Sequence, residues 1–365
     1  MKKTIAIIMG GDSPERDISI ITGILATKNL DKTEFLPLPI LLKDNRFYYN
    51  EKFADIRSFQ GEGIVGSEVV FSGNLLLVKS NFTSKFKPFK KVDCALLCTH
   101  GGAGEDGSLQ GFFEVAGVPY TGSAVAQSAT CMDKILTKKL LVDLGANVVE
   151  YATGTPQEIE TKLGYPLIVK PAKLGSSIGI SAAENFGELL DSINIATEFC
   201  EHILVEKKLE NFTELNCAVA KIDGEVVASE IEKPIVWQDF LSFEDKYMDG
   251  NPSPKELPAI ISQELKDEVQ SQSIWLYQEL NLSGVVRIDY LVDKTGKLLV
   301  NEINTIPGSL AHYLFEESGI SFKKLLKKII KEAILRKKES KKYNLNFTSD
   351  VLKNLKSMSK GKGKG

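Results

Sequence analysis

The stretch from Val285 to Ser309 reads VVRIDYLVDKTGKLLVNEINTIPGS, two strands joined by a turn at Asp293 to Gly296. Side chains alternate faces along a strand, so Arg287 and Asp289 point one way and Ile288 and Tyr290 the other. On the second strand Glu302 and Asn304 share a face that Ile303 opposes. Such a hairpin gathers two carboxylates, an amide oxygen and a guanidinium on one surface. Hard divalent cations such as Mg²⁺ take oxygen clusters of this kind, completed by phosphate oxygens. A solvated face laced with cross-strand ion pairs gives the same pattern. The hairpin alone leaves both readings open.

Three further stretches bear on the choice. In KPAKLGSSIGIS, Lys170 ends a strand and Gly175, Ser176 and Ser177 form a small flexible loop. A lysine beside a Gly/Ser loop supplies a point charge, hydroxyls and free N–H groups, which suits phosphate. In THGGAGEDGSLQG, His100 opens a Gly-rich loop that holds Glu105 and Asp106, and the glycines let backbone approach a ligand closely. Near the start, an apolar strand runs into Gly10-Gly11. Ser13 then reads as an N-cap, with Pro14 at the first helical position and the acid Glu15 in the first turn. Backbone N–H groups at a helix N-terminus suit anions. The Gly10-Gly11 loop lacks the G-x-G-x-x-G spacing, and no Walker A pattern occurs in the sequence.

With 365 residues, the chain is long enough for two or three cores. Hydrophobic residues at 43% and charged residues at 25% fit a soluble globular protein. A net charge of −3 argues against bulk attraction to nucleic acid. No apolar run approaches a bilayer span. The opening MKKTIAIIMGG is too short in its apolar part for an export signal, so the expectation is a cytoplasmic protein with five reduced cysteines. Cys94 and Cys98 lie near His100, but on one strand their α-carbons would be roughly 13 Å apart, too far to share an ion.

The elements that position these residues follow from periodicity. Strands are predicted at Thr4–Met9, Phe35–Ile40 and Val92–Cys98, with irregular short strands and turns between Asn45 and Lys91. A helix is predicted from Ser123 to Leu144, carrying Lys134, Lys138 and Lys139. Strands at Asn147–Ala152, Pro166–Lys170 and His202–Lys207 and a helix at Phe186–Phe199 come next. Strands Leu215–Ile222 and Val226–Glu232 pair around Asp223-Gly224. The connection Lys233–Pro258 holds the pair Lys246-Tyr247 and has the length of a disordered segment or of an active-site lid. Helices at Ser262–Leu280 and Ile320–Arg336 flank the hairpin, and SMSKGKGKG reads as a frayed tail.

Taken together, GGDSPERDIS, HGGAGEDGSLQG, PYTGS with MDK, KPAKLGSSIG, FEDKY, RID and NEINTIPG resemble the D-alanine–D-alanine ligases of the ATP-grasp fold. The resemblance runs in the family's order from the first strand to about Leu326. It implies an α/β (α+β) ATP-grasp architecture, with an N-terminal αβα domain at residues 1–122. Two ATP-grasp lobes follow at 123–208 and 209–336, then a Lys-rich tail at 337–365. It also implies ATP as cosubstrate, two Mg²⁺ ions or Mn²⁺ in their place, D-alanine as substrate and a homodimer.

By the same resemblance, Glu15 holds the ammonium of the first D-alanine, and Ser176 and Tyr247 form a hydrogen-bonded set with it. His100 lines that pocket. Lys134 and Lys170 bind ATP phosphates, and Lys246 reaches the γ-phosphate. Glu206, Lys207 and Leu209 match the hinge that receives adenine, with Glu214 near the ribose. Asp289, Glu302 and Asn304 match the metal ligands, and Arg287 and the Gly308 N–H match the groups that steady the oxyanion. Tyr313 and Leu314 fall where the family contacts the second D-alanine, with Tyr313 in place of its usual serine.

Three function classes fit with different force. A D-alanine–D-alanine ligase accounts for every motif. Another ATP-grasp carboxylate–amine ligase, with a different second substrate, accounts for the motifs and for Tyr313. A nucleotide-binding module without catalysis leaves Lys170, Lys246, Arg287, Asp289, Glu302 and Asn304 unexplained.

Overall fold

The computed structural model describes residues 2–60, 65–80, 84–235, 255–340, 342, 349, 351 and 352. Lys246 and Tyr247, most of the expected lid and the SMSKGKGKG end lie outside the described residues.

The first sheet contains β1 (Lys3–Gly10), β2 (Phe35–Lys43), β3 (Arg46–Tyr49), β4 (Ser67–Ser72), β5 (Leu75–Lys79), β6 (Phe86–Lys91) and β7 (Cys94–Leu97). Its strand order is β6-β5-β4-β3-β2-β1-β7. β1 runs parallel to β2 and β7, and its near-continuous apolar run is buried on both faces. Within 45–91, the strands β3 to β6 form an antiparallel ribbon that extends this sheet from β2. Phe47 and Phe71 on the ribbon pack against Phe112 and Phe113 on the helix Ser108–Ala116, with ring centroids 5.3 to 6.4 Å apart.

The second sheet holds β8 (Tyr151–Ala152), β9 (Leu167–Pro171), β10 (Ser181–Ala183) and β11 (Ile203–Lys207) in the order β10-β9-β11-β8. The expected strand at 147–152 shrinks to β8, while Val148 makes a lone bridge to Val300. Helices Phe186–Thr197 and Pro156–Leu163 cover this sheet through Leu189, Ala196, Ile159 and Leu163. The second of these helices was not anticipated, although Thr155, Pro156 and Glu158 form a capping box.

The third sheet holds β12 (Thr213–Ile222), β13 (Glu225–Pro234), β14 (Lys255–Glu256), β15 (Val285–Val292) and β16 (Leu298–Asn304). Its order is β14-β13-β12-β15-β16, all antiparallel. One face buries Ile288, Tyr290, Cys217 and Val219 against the helix Gln263–Glu279. The other face carries the polar residues of the hairpin.

Three local expectations differ from the structure, for identifiable reasons. The helix foreseen over 123–144 is two helices, Val125–Met132 and Lys134–Asp143. Asp133 sits between them in extended conformation and caps the second by accepting from the Ile135 and Leu136 N–H groups. Ser13 is not an N-cap: its hydroxyl donates instead to the His100 carbonyl at 2.6 Å, and the helix starts at Arg16 with Glu15 at the cap position. The last helix, Phe322–Ser340, also extends past residue 337, where the tail was expected to begin. Its apolar side joins the core of the first sheet. Its lysines meet Asp31, Glu34, Asp223 and Glu114.

Candidate active site

Strand register sets the floor of the site. Across β13, β12, β15 and β16 the paired residues Glu232, Asn216, Asp289 and Glu302 form one row on the polar face. Arg287 and Asn304 are paired one step along. Arg287 holds Asp289 with two bonds, Nε to Oδ1 at 2.7 Å and a terminal nitrogen to Oδ2 at 2.8 Å. The Asn304 amide donates to the same Oδ2 at 3.0 Å. Burial pushes the Asp289 carboxyl up to about 6, helped by Glu302 and Glu232 and opposed by Arg287. Glu302 is more open, with its side chain 34% exposed, and lies 3.7 Å from Lys134 Nζ. A bulge after Asp289 brings Asn301 as well as Glu302 and Asn304 to the cavity wall.

Facing this floor is a polar ceiling built from loops of the first sheet and the Gly/Ser loop of the second. The Ser176 hydroxyl donates to Glu15 Oε1 at 2.5 Å. Gly101 must be glycine: its φ is +67°, and a Cβ there would lie 2.6 Å from Glu15 Oε2. His100 is buried, with Nδ1 2.8 Å from the Ile306 carbonyl and Nε2 2.9 Å from the Thr22 hydroxyl. A carbonyl only accepts, so Nδ1 carries the proton and Nε2 accepts from Thr22. Burial lowers the imidazole to about 4, and the Arg287 charge adds to this, so the ring is neutral near pH 7. The Thr22 oxygen in turn accepts from the Ser309 N–H at 3.0 Å, which ties His100 to the turn after Gly308.

Glu105 joins the same wall. Its carboxylate oxygens accept from the Gly101 N–H at 3.1 Å and the Ile306 N–H at 3.3 Å. Burial raises it to about 7, with the Glu15 charge adding to the rise. Sequence reasoning placed Glu105 in the loop without a role. The positions of its two donors, 4 and 201 residues away, depend on the fold.

A cavity of about 430 Å³ lies between floor and ceiling. Glu15, His100, Lys134, Ser176, Glu214, Arg287, Asp289, Glu302, Asn304, Gly308 and Tyr313 all line it. Leu314 is fully buried behind it. Tyr313 donates to Glu232 at 2.9 Å, and the Lys255 ammonium sits 3.5 Å above its ring.

Glu206, Lys170 and Lys207 stand apart on β9 and β11. Lys170 Nζ lies 2.5 Å from one Glu206 oxygen and Lys138 Nζ lies 2.5 Å from the other. Burial works against the charged carboxylate, but the two ammonium groups hold it at about 2. Lys207 turns its amine to the Leu163 and Tyr165 carbonyls, and its N–H donates to the Glu150 carbonyl at 2.9 Å. Leu209 follows β11 in a short link to β12. Among the described residues, no group of three His, Cys, Asp or Glu could hold a metal ion. Asp289, Glu302 and Asn304 present oxygens on one face that could serve as part of a hard cation's shell, with phosphate and water completing it. Cys94 and Cys98 are buried thiols pushed up by desolvation.

Two family models cover most of the chain: the D-ala D-ala ligase N-terminus at residues 4–123 and the D-ala D-ala ligase C-terminus at 143–331. The chain belongs to the D-alanine–D-alanine ligase family. A D-alanine–D-alanine ligase of Acetivibrio thermocellus is 34% identical over 92% of this chain and 96% of that protein. The solved D-alanine–D-alanine ligase of Coxiella burnetii superposes with a TM-score of 0.78 at 28% identity, covering 93% of this chain and 98% of the other. A D-Ala:D-Ser ligase of Enterococcus faecalis gives the same TM-score at 30% identity, covering 91% of this chain and all of the other. The three sheets are thus the ATP-grasp architecture of this ligase family.

Proposed function

We propose that this ligase joins two D-alanines into D-alanyl-D-alanine at the expense of ATP, for peptidoglycan precursor synthesis. The observation that carries this reading is the arrangement of Arg287, Asp289 and Glu302 on one side of a cavity that has Glu15 and Ser176 on the other.

A carboxylate resists attack by an amine, so the first D-alanine is activated as an acyl phosphate. Its carboxylate oxygen attacks the γ-phosphorus and ADP leaves. Glu15, held by Ser176, is placed to receive the ammonium of that D-alanine and fix its orientation. Phosphoryl transfer needs alignment and charge neutralisation more than covalent help. Lys134, Lys170 and Lys246 supply positive charge toward the phosphates, and Asp289, Glu302 and Asn304 would hold Mg²⁺, which neutralises the phosphoryl oxygens when bound. Glu206, the Lys207 backbone and Leu209 border the adenine, with Glu214 toward the ribose.

The deprotonated amine of the second D-alanine then attacks the acyl carbonyl, and the C–O bond to phosphate breaks. Negative charge on the carbonyl oxygen is met by Arg287 and the Gly308 N–H, a pair of donors typically contributing about 3 kcal/mol. Tyr313 borders the second amino acid, while Leu314 is buried and does not line the cavity. The family resemblance would add Tyr247, outside the described residues, to the set with Glu15 and Ser176, and exclusion of water would protect the acyl phosphate. The division at 1–122, 123–208 and 209–336, a homodimeric state and a cytoplasmic location complete the proposal.

The test is incubation of pure protein with ATP, Mg²⁺ and D-alanine. Phosphate release that depends on D-alanine, with dipeptide seen by mass, is expected. Phosphate release indifferent to D-alanine rejects the reading. A parallel panel of D-serine, D-lactate and other D-amino acids identifies the second substrate.

A further inference from the structure

Lys134 and Lys138 lie four residues apart on the helix Lys134–Asp143, hence on one face, but they reach different targets. Lys134 turns to the Leu174 carbonyl and Glu302. Lys138 turns into the protein and ends 2.5 Å from Glu206, with its side chain only 2% exposed. Nothing in the ligase reading above uses it. A buried lysine is expensive unless paired, and burial lowers its affinity for a proton while Glu206 works the other way.

Glu206 is the single carboxylate between two ammonium groups. Once its charge is matched, one positive charge is left over. Neither lysine lines the cavity, and Lys138 is the more deeply buried of the two. Lys170, 13% exposed on β9 just before the Gly175–Ser177 loop, can deliver that surplus outward. Without Lys138, Glu206 would be a buried anion with Lys170 as its sole counter-ion, and moving Lys170 to a phosphate would strand it.

We infer that Lys138 is a positioning residue for the nucleotide: it neutralises Glu206 permanently and so frees the charge of Lys170 for the phosphate chain. The inference rests on the ligase reading only in taking the phosphates as those of a nucleotide.

The test compares Lys138→Met, Lys138→Arg and the double variant Lys138→Met/Glu206→Gln, with Mg·ADP binding measured by titration calorimetry and KM determined for both substrates. K138M is expected to weaken Mg·ADP binding and raise KM for ATP at least tenfold, with KM for D-alanine changed less than twofold. K138R, which keeps the charge, should stay within about threefold of the parent. The double variant removes the stranded carboxylate and should bind Mg·ADP at least threefold more tightly than K138M. That variant also keeps the test open if K138M fails to fold, since it must then fold and bind. Equal loss for both substrates, a K138M affinity within twofold of the parent, or a double variant no better than K138M overturns the inference. Binding is read without turnover, so failure of the D-alanine reaction itself would count against the ligase reading and not against this one.

Discussion

Ser176 donates its hydroxyl to Glu15 at 2.5 Å, although 161 residues separate them in the chain. The bond spans the Gly/Ser loop of the second sheet and the helix start of the first. Ser176 holds a left-handed backbone, φ +55°, to make it. A hydrogen bond to a charged acceptor contributes roughly 1.5–3 kcal/mol. Ser176→Ala should therefore raise KM for the first D-alanine by about tenfold or more and leave Mg·ADP affinity unchanged, as steady-state kinetics and calorimetry would read.

Glu302 is half-open and packs no core, so its loss should cost function without fold. Glu302→Ala is expected to cut turnover by about a thousandfold or more, since a lost cation site removes several kcal/mol of charge neutralisation. The melting temperature should stay within about 2 °C of the parent. Mg²⁺-dependent tightening of ADP binding, followed by calorimetry, should vanish with it.

Glu105 and His100 pull the pH dependence of stability in opposite directions. Glu105 is raised from 4.5 to about 7, so its contribution is full at low pH and is lost as pH rises through about 7. His100 is lowered from 6.5 to about 4, so its contribution is full above 6.5 and is lost as pH falls through about 4. Each is of order 3 kcal/mol, and between about 4.5 and 6.5 the two slopes offset. Glu105→Gln removes one of them. Urea unfolding should show the variant gaining about 3 kcal/mol relative to the parent between pH 5 and pH 8. A difference that stays flat across that range would place the Glu105 titration at its ordinary value.

Tyr313 contributes both a phenol and a ring face. Tyr313→Phe keeps the ring under Lys255 but removes the donor to Glu232, which retains Asn216 at 3.1 Å and Lys255 at 3.3 Å. One neutral donor is worth about 1 kcal/mol, so KM for the second D-alanine should rise up to about fivefold. KM for ATP should not move. The readout is dipeptide formation at saturating ATP.

The hairpin was legible because its signal is local: alternation puts Arg287 and Asp289 on one face and Ile288 and Tyr290 on the other, with the expected turn between them. The Gly-rich loops were legible for the same reason. The row from Glu232 through Asn216 to Asp289 was not, because it depends on the register of strands distant in sequence. Lys138 looked like any solvated helical lysine, since its partner Glu206 lies 68 positions on (206 minus 138) in another sheet. The break at Asp133 hid inside an apolar rhythm that continues through both helices. Ser13 carried a true capping signature, and a tertiary partner, the His100 carbonyl, outcompeted it.

The helix Phe322–Ser340 buries Leu325, Leu326, Ile329 and Ile330 in the same core as β1 and β7. β1 and β7 therefore lack this part of their covering until a helix far later in the chain has been made. Synthesis order and assembly order run against each other in this chain, and nascent intermediates must keep an oily sheet shielded while the rest is translated.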